Sequence, residues 1–269
     1  MGLRDLPLEI IVLVYQRLDS TRDAHYLAQS CKLSYIVFNV PYNRGKIFES
    51  ILDNIISAAA PSKAWLEACF GANTLWQITE SDLDGLVHGR TRDFLLNVGF
   101  PAVKLDGMAF ESTYLTQDPE SNLKHYVLTD ENDLEMHLAS SCPPTRCDDI
   151  YFHFGNVNEC KIMVDAEYGD VWLYEPDHLR YAGAGHYFYD APWNNTVAWS
   201  LDSFAMLLGM VVVVARDLRA APWRSFPWGF EARKQILDTL RARINECDYV
   251  VAEDTSGFWD DLFEKLIGQ

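Results

Sequence analysis

The sequence is short of positive charge, of long apolar runs and of phosphate-binding loops, and each shortage removes a class of function. Its 269 residues carry 22 Lys and Arg against 39 Asp and Glu, a formal net charge of −17 with histidine neutral. So anionic a chain disfavours nucleic acid as a partner, because phosphates demand a cationic face. Docking on an anionic membrane is disfavoured for the same reason. The longest near-continuous apolar stretch, Phe204 to Ala215, is twelve residues and ends at Arg216. A spanning helix needs ~20. The first twenty residues do not read as a secretory signal, since Glu9, Arg17 and Asp19 interrupt the apolar positions and no small-residue cleavage site follows. The expected setting is therefore reducing: cytoplasmic, with the nucleus as a second location. The six cysteines, Cys31, Cys69, Cys142, Cys147, Cys160 and Cys247, then read as thiols, not as a disulfide framework.

Signatures of catalysis are also missing. There is no Gly-x-Ser-x-Gly elbow and no reactive-cysteine pattern. Gly183-Ala184-Gly185 lacks the third glycine and the Lys-Ser/Thr end of a phosphate cradle. Cys142, Cys147, His153 and Cys160 can be forced into a zinc set, but no matching second pair exists, and buried thiols with a strand histidine are the plainer reading. His186 sits beside small residues that could admit a ligand, which turn flexibility explains equally well. General acid–base work needs two carboxyls in different environments. Asp148/Asp149 and Asp165/Glu167/Asp170 fall instead in expected turns, where aspartate caps and is solvated. No catalytic residue, metal or cofactor is expected, and the chain reads as non-enzymatic.

What is present is an ordinary globular composition, 49% apolar and 23% charged, enough for one domain with extras or for two. The charge is unevenly spread. Residues 1–50 hold six bases and five acids, whereas the remainder holds 16 bases and 34 acids, a net −18. That shift suggests two modules. In the first, Leu6, Ile10, Val14 and Leu18 recur every fourth residue as one inclined apolar stripe on a helix, with Pro7 in its first turn. Asp19-Ser20-Thr21 supplies caps for a second helix, which repeats the spacing with Asp23, Leu27 and Cys31. Pro41 is expected to end that segment, and a third helix is expected over about 43–60.

The second module changes period. Thr91 is expected to cap a short helix over 93–98, closed by Gly99 and Pro101. A loop-rich acidic stretch, 102–149, precedes short aromatic and β-branched runs at 150–154, 160–164 and 171–174, separated by turns at Gly155-Asn156 and Gly169-Asp170. Ser200 is expected to cap an apolar helix over 201–215, with Asp202 in its first turn. Helices are expected again over 230–247 and 258–267. This order predicts an α+β fold with a mostly antiparallel sheet flanked by helices.

Between residues 102 and 170, four bases face fourteen acids, a net −10. Such a region can steer a basic partner, although runs of charge are often only solvated faces. The candidate partner-binding acids are Asp130, Glu131, Asp133, Asp148, Asp149, Asp165, Glu167 and Asp170. Interleaved aromatics such as Tyr168 and Trp172 add residue types enriched in binding hot spots.

Two resemblances sharpen this picture. Leu6-Pro7-Leu8-Glu9-Ile10, followed by Val14, Leu18, Asp23, Leu27 and Cys31-Lys32, resembles an F-box, a small helical motif. It departs from the usual pattern at Ala24 and Ser34. The resemblance implies docking on the linker subunit of a cullin-type ubiquitin ligase through Leu6, Pro7, Ile10, Val14, Leu18, Leu27 and Cys31. From about residue 75 the chain is similar to the SUKH superfamily, nearest to its toxin-immunity subgroup. The residues that carry this likeness are Thr91-Arg92-Asp93-Phe94-Leu95-Leu96-Asn97-Val98-Gly99-Phe100-Pro101, Tyr151-Phe152-His153-Phe154-Gly155, Gly169-Asp170-Val171-Trp172, the stretch from Trp193 to Phe204, and Phe258-Trp259. It implies a non-catalytic protein binder. The bacterial members neutralise toxins, many of them nucleases, and eukaryotic members include cell-wall-synthesis regulators and domains fused to F-boxes. The expected organisation is an F-box-like module at 1–45, a helical linker at 46–74 and a SUKH-like domain at 75–269. The first functional expectation is a ubiquitin-ligase adaptor that captures an unknown, basic target. The alternative is an immunity protein covering a basic toxin with its acidic surface.

Overall fold

The computed structural model describes residues 6–80, 83, 85–117, 125–128, 134–137, 150–158, 160–174, 196–221, 223, 229–252 and 257–268. In chain order these include helices α1 (Leu8–Gln16), α2 (Thr21–Ser30), α3 (Lys32–Asn39), α4 (Pro41–Ala58), α5 (Lys63–Phe70), α6 (Gly89–Asn97), α7 (Tyr114–Gln117), α8 (Leu201–Ala220), α9 (Gly229–Cys247), α10 (Tyr249–Ala252) and α11 (Phe258–Gly268). The strands are β1 (Leu75–Trp76), β2 (Phe100–Pro101), β3 (Lys104–Leu105), β4 (Phe110–Glu111), β5 (His125–Leu128), β6 (Leu134–His137), β7 (Ile150–Val157), β8 (Cys160–Asp165), β9 (Val171–Tyr174) and β10 (Thr196–Ala198). The α+β class expected from the sequence is what the structure has. The chain forms two compact units that do not follow sequence order: residues 1–59, 208–247 and 266–269 make one, and 60–207 with 248–265 the other.

The first unit is helical. Its core is built from α1 and α4 by Ile11, Tyr15, Ile47, Phe48, Ile51 and Leu52, and from α9 by Ile236, Leu237, Leu240 and Ile244, all essentially inaccessible. A chain of rings runs through it: Tyr15 stacks on Phe38 at 5.6 Å, Phe38 meets Phe48 edge-on at 5.7 Å, and Trp223 lies 4.9 Å from His25. Polar side chains satisfy helix ends that would otherwise be orphaned. Ser20 caps α2 by accepting from Asp23 N and donates to the buried Asp217 at 2.6 Å. Asn54 donates to the carbonyls of Gln16 and Leu18, which closes the end of α1.

Two expectations are corrected here. Pro41 does not end a helix; it begins α4 as its first residue. Proline fits there because its missing N–H is one that the first turn leaves unbonded anyway. And α2 does not run on past Cys31. That residue is fully extended (φ −159°, ψ 160°), and its sulfur accepts from Ser34 N to cap a separate helix, α3.

The second unit is built on an antiparallel sheet ordered β10-β9-β8-β7-β4-β3, with β5 also paired to β7 and β6 to β5. The meander expected over 150–174 is present, with Phe152 opposite Val164 and Met163 opposite Trp172, but Gly155-Asn156 is not the turn expected there: β7 runs through it to Val157, and both residues pair with β8. Within the stretch expected to be loop-rich lie β3, β4, β5 and β6, strands too short to leave a period in the sequence. The core is aromatic. Phe100 lies 5.4 Å from Phe154 and 6.4 Å from Phe204, which lies 5.8 Å from Phe258 and 6.0 Å from Trp259. The Trp259 indole donates to Val197 O at 2.8 Å. Gly155 sits at a register shift in β7, where a Cβ would come 2.8 Å from the Phe110 ring.

Two helices differ from their expected bounds. The helix at 93–98 begins earlier, at Gly89, and Thr91 does not cap it; its hydroxyl instead bonds His88 Nδ1 at 2.8 Å. The helix expected to stop at Ala215 continues to Ala220. Its burial period persists past Arg216, with Leu218 buried and Arg216 and Arg219 exposed.

Candidate functional site

The described residues singled out from the sequence fall in both units. On the first unit, the stripe chosen by its four-residue spacing is not the face that α1 buries. Ile11 and Tyr15 carry the packing, while Pro7, Ile10 and Val14 are exposed and Leu6 and Leu18 half-buried. Leu8 and Leu13 are exposed as well, and on α3 so are Tyr35 and Ile36. Of the remaining docking candidates, Leu27 is half-buried. Cys31 is buried, its sulfur engaged with Ser34, whose hydrogen bonds hold the thiol below its ordinary pKa. Its work is to cap α3.

Of the acidic candidates on the second unit, Asp130, Glu131, Asp133, Asp148 and Asp149 lie outside the described residues. Of the other three, Asp165 ends β8, and Glu167 and Asp170 lie in the turn joining it to β9. Asp165 is buried, and its Oδ1 accepts from Glu167 N and Tyr168 N at 2.8 and 2.7 Å. It therefore organises the turn. Glu167 is exposed, and Asp170 is half-buried.

This turn belongs to a larger arrangement at one end of the sheet. The N–H groups of Val87 and His88 both donate to Ala166 O at 2.9 Å. Gly169 (φ +84°) brings the turn so close that a Cβ there would fall 1.9 Å from His88 Nδ1. Across the sheet, Ala198 pairs with Val171 past a register shift, and Trp199 and Asp170 are the chain neighbours of that last pair. Trp199 N donates to the buried Asp248, which also accepts from Ser203 Oγ and Val250 N. The Trp199 and Tyr249 rings lie 5.4 Å apart. Nearby, Arg90 grips Asp202 through Nε and Nη2 at 3.1 and 2.8 Å, and Ser200 Oγ donates to the other oxygen of that carboxylate. The Asp170 carboxyl is pushed up to about 6, first by burial and then by the negative charges of Asp165 and Asp248.

Trp199, Tyr249, Val87 and Asp248 were not expected at this place. They are far apart in sequence, and no spacing rule joins them; only the β9–β10 pairing and the turn at 248 do so.

His153 is buried on β7, stacked on Tyr114 at 4.9 Å, with Nε2 2.9 Å from Gly155 O and 3.0 Å from Asn156 Oδ1. Cys160 begins β8, half-buried. Cys142, Cys147, Gly183 and His186 lie outside the described residues. Among those described, no three or more His, Cys, Asp or Glu side chains are grouped to hold a metal ion. No described helix is long and apolar enough to cross a membrane.

The model of the SUKH-4 immunity protein family matches residues 61–265. That is about three quarters of the sequence, and the chain belongs to this family. No curated protein and no solved structure gives a significant match.

Proposed function

Taking membership of the SUKH-4 immunity family as the premise, we propose that the protein is a non-catalytic inhibitor-type binder. It neutralises a basic, nuclease-like toxin by covering it with the acidic surface of residues 102–170. The family match over 61–265 is the observation that carries this reading. The net −10 of that region supports it, since opposite charge steers encounter and fixes register between partners. The test is survival of cells that express a basic toxin encoded beside the gene, with and without this protein. Rescue is the expected result, together with a complex that weakens as salt rises from about 50 to about 500 mM. Growth arrest unchanged by co-expression rejects the reading.

One observation favours a second reading, the ubiquitin-ligase adaptor. Pro7, Ile10 and Val14 present an uncovered apolar ridge on α1. Burying such a ridge against the linker subunit of a cullin-type ligase would make Ile10→Ala cost about 1–3 kcal/mol of affinity. A pull-down of that subunit that is indifferent to Ile10→Ala and Val14→Ala removes this reading.

A further inference from the structure

The end of the sheet around Trp199 has a composition unlike an ordinary solvated edge. Four large side chains stand out from it: Val87, Tyr168, Tyr249 and Trp199, exposed by 71, 63, 58 and 49%. They are drawn together from four segments by hydrogen bonds of the backbone: Val87 and Tyr168 through the turn at 165–170, Trp199 through β10, Tyr249 through Asp248. Exposed apolar side chains scattered singly need no explanation, but an exposed pair of rings such as Trp199 and Tyr249, 5.4 Å apart, is of the kind enriched at interaction sites.

Among the described residues, the charges within this group have one sign once internal pairs are taken out. Arg90 is the cation at hand, and Asp202 already holds it. His88 Nδ1 is bonded to Thr91. Glu167, Asp165, Asp170 and Asp248 remain. Asp165 and Asp248 point their oxygens at backbone N–H groups, whereas Asp170 is half-buried and repelled by both. A half-buried carboxylate in a field of carboxylates destabilises the fold. A cation brought by a partner relieves that penalty, and aromatic faces beside it favour a guanidinium over an ammonium, because the planar group also stacks.

We propose that Val87, Tyr168, Trp199 and Tyr249, with Glu167 and Asp170 among them, form the docking surface for a basic polypeptide segment that lays arginine side chains on the rings and against the carboxylates. The proposal rests on the reading of this domain as a binder of a basic protein. It narrows that broad acidic region to one end of the sheet and adds aromatic residues beyond it.

The probe is a hexa-arginine peptide titrated into the full-length protein at low salt, with the Trp199 indole N–H followed by NMR. Binding is expected to move that resonance. Trp199→Ala and Asp170→Asn should each weaken the peptide about tenfold, a hot-spot-sized loss. Asp106→Asn is the charge-matched control, exposed beside β3 at the opposite edge of the sheet. It should change affinity by less than about twofold, as an isolated exposed charge does. Hexa-lysine should bind more weakly than hexa-arginine. Equal losses from Asp106→Asn and Asp170→Asn would mean diffuse attraction and overturn the proposal. So would a Trp199→Ala protein that binds like the wild type, or no binding at all. Asp170→Asn removes a repulsion, so its folding is secure and its result decides even if Trp199→Ala misfolds. Toxin rescue combined with an unmapped peptide sinks this surface and leaves neutralisation standing; a mapped peptide without rescue does the reverse.

Discussion

The two units use exposed apolar side chains in opposite ways. On the helical unit, the aliphatic Leu8, Ile10, Leu13 and Val14 are exposed along α1, in a region whose charges nearly cancel, while Tyr26, Tyr35, Tyr42 and Phe230 are exposed on other helices. On the sheet unit, the exposed side chains are chiefly aromatic, converge from separate segments and stand among carboxylates. A ridge of the first kind offers hydrophobic burial alone, which is non-directional and insensitive to salt. A surface of the second kind offers orientation and charge selection, which salt screens. The difference teaches that the helical unit and the sheet unit are suited to partners of different chemistry, and substitution can separate what each side chain does for the fold from what it leaves free.

The sharpest way to break the comparison lies within α1. Ile10 and Ile11 are neighbours of identical chemistry, yet Ile10 is 40% exposed and Ile11 is at 0%. Ile11→Ala should lower unfolding free energy by about 2–5 kcal/mol, since a cavity opens beside α4. Ile10→Ala should change it by less than about 0.5 kcal/mol, as surface substitutions do. Chemical denaturation of both variants measures the gap. Equal losses would mean that the ridge belongs to the core, and its availability to a partner would be lost with it.

Next in size is Gly169 in the sheet unit. Alanine there meets both a positive φ and the His88 ring, and should cost about 2–4 kcal/mol. The double variant His88→Ala/Gly169→Ala, measured against His88→Ala so that the lost Thr91 bond cancels, removes the clash and keeps only the φ penalty. It should recover more than half of the loss, read again from denaturation midpoints. No recovery would mean that the turn does not depend on its approach to His88.

The same residues show what could be foreseen. The strands at 150–174 and the helices of the second half announce themselves because each carries its own period: alternation in Phe152 and Phe154, and spacing by three and four in Trp259, Leu262 and Phe263. Ser20 and Ser200 were legible as caps for the same local reason. The stripe Leu6/Ile10/Val14/Leu18 was legible as apolar but not as exposed. Two apolar rows run along α1, and periodicity alone cannot tell which one meets α4. The division into units was hidden because residues 208–247 join the amino-terminal helices, a choice made by packing of α9 on α4 and by the tie from Ser20 to Asp217. The aromatic end of the sheet was hidden because strand pairing assembles it from segments up to about 160 residues apart, as Val87 and Tyr249 are.

The smallest effect concerns Asp170, and its sign distinguishes a residue kept for the fold from one kept for a partner. Its carboxyl is raised from 3.8 to about 6, by burial and by Asp165 and Asp248. The folded state therefore holds the proton more tightly than the unfolded state. Below about pH 4 both states are protonated and the penalty vanishes. As pH rises through 6 the folded carboxyl must ionise against its neighbours, and stability falls. At pH 7 Asp170→Asn should be more stable than the wild type by about 1–2 kcal/mol, allowing for solvent screening. That advantage should shrink to nothing as pH is lowered from 7 to 4, which paired thermal melts across the range will measure. A variant less stable than the wild type at pH 7 would mean that Asp170 serves the turn. A gain in stability, accompanied by weaker peptide binding, would mean that the sheet unit tolerates a local penalty in order to present its charge.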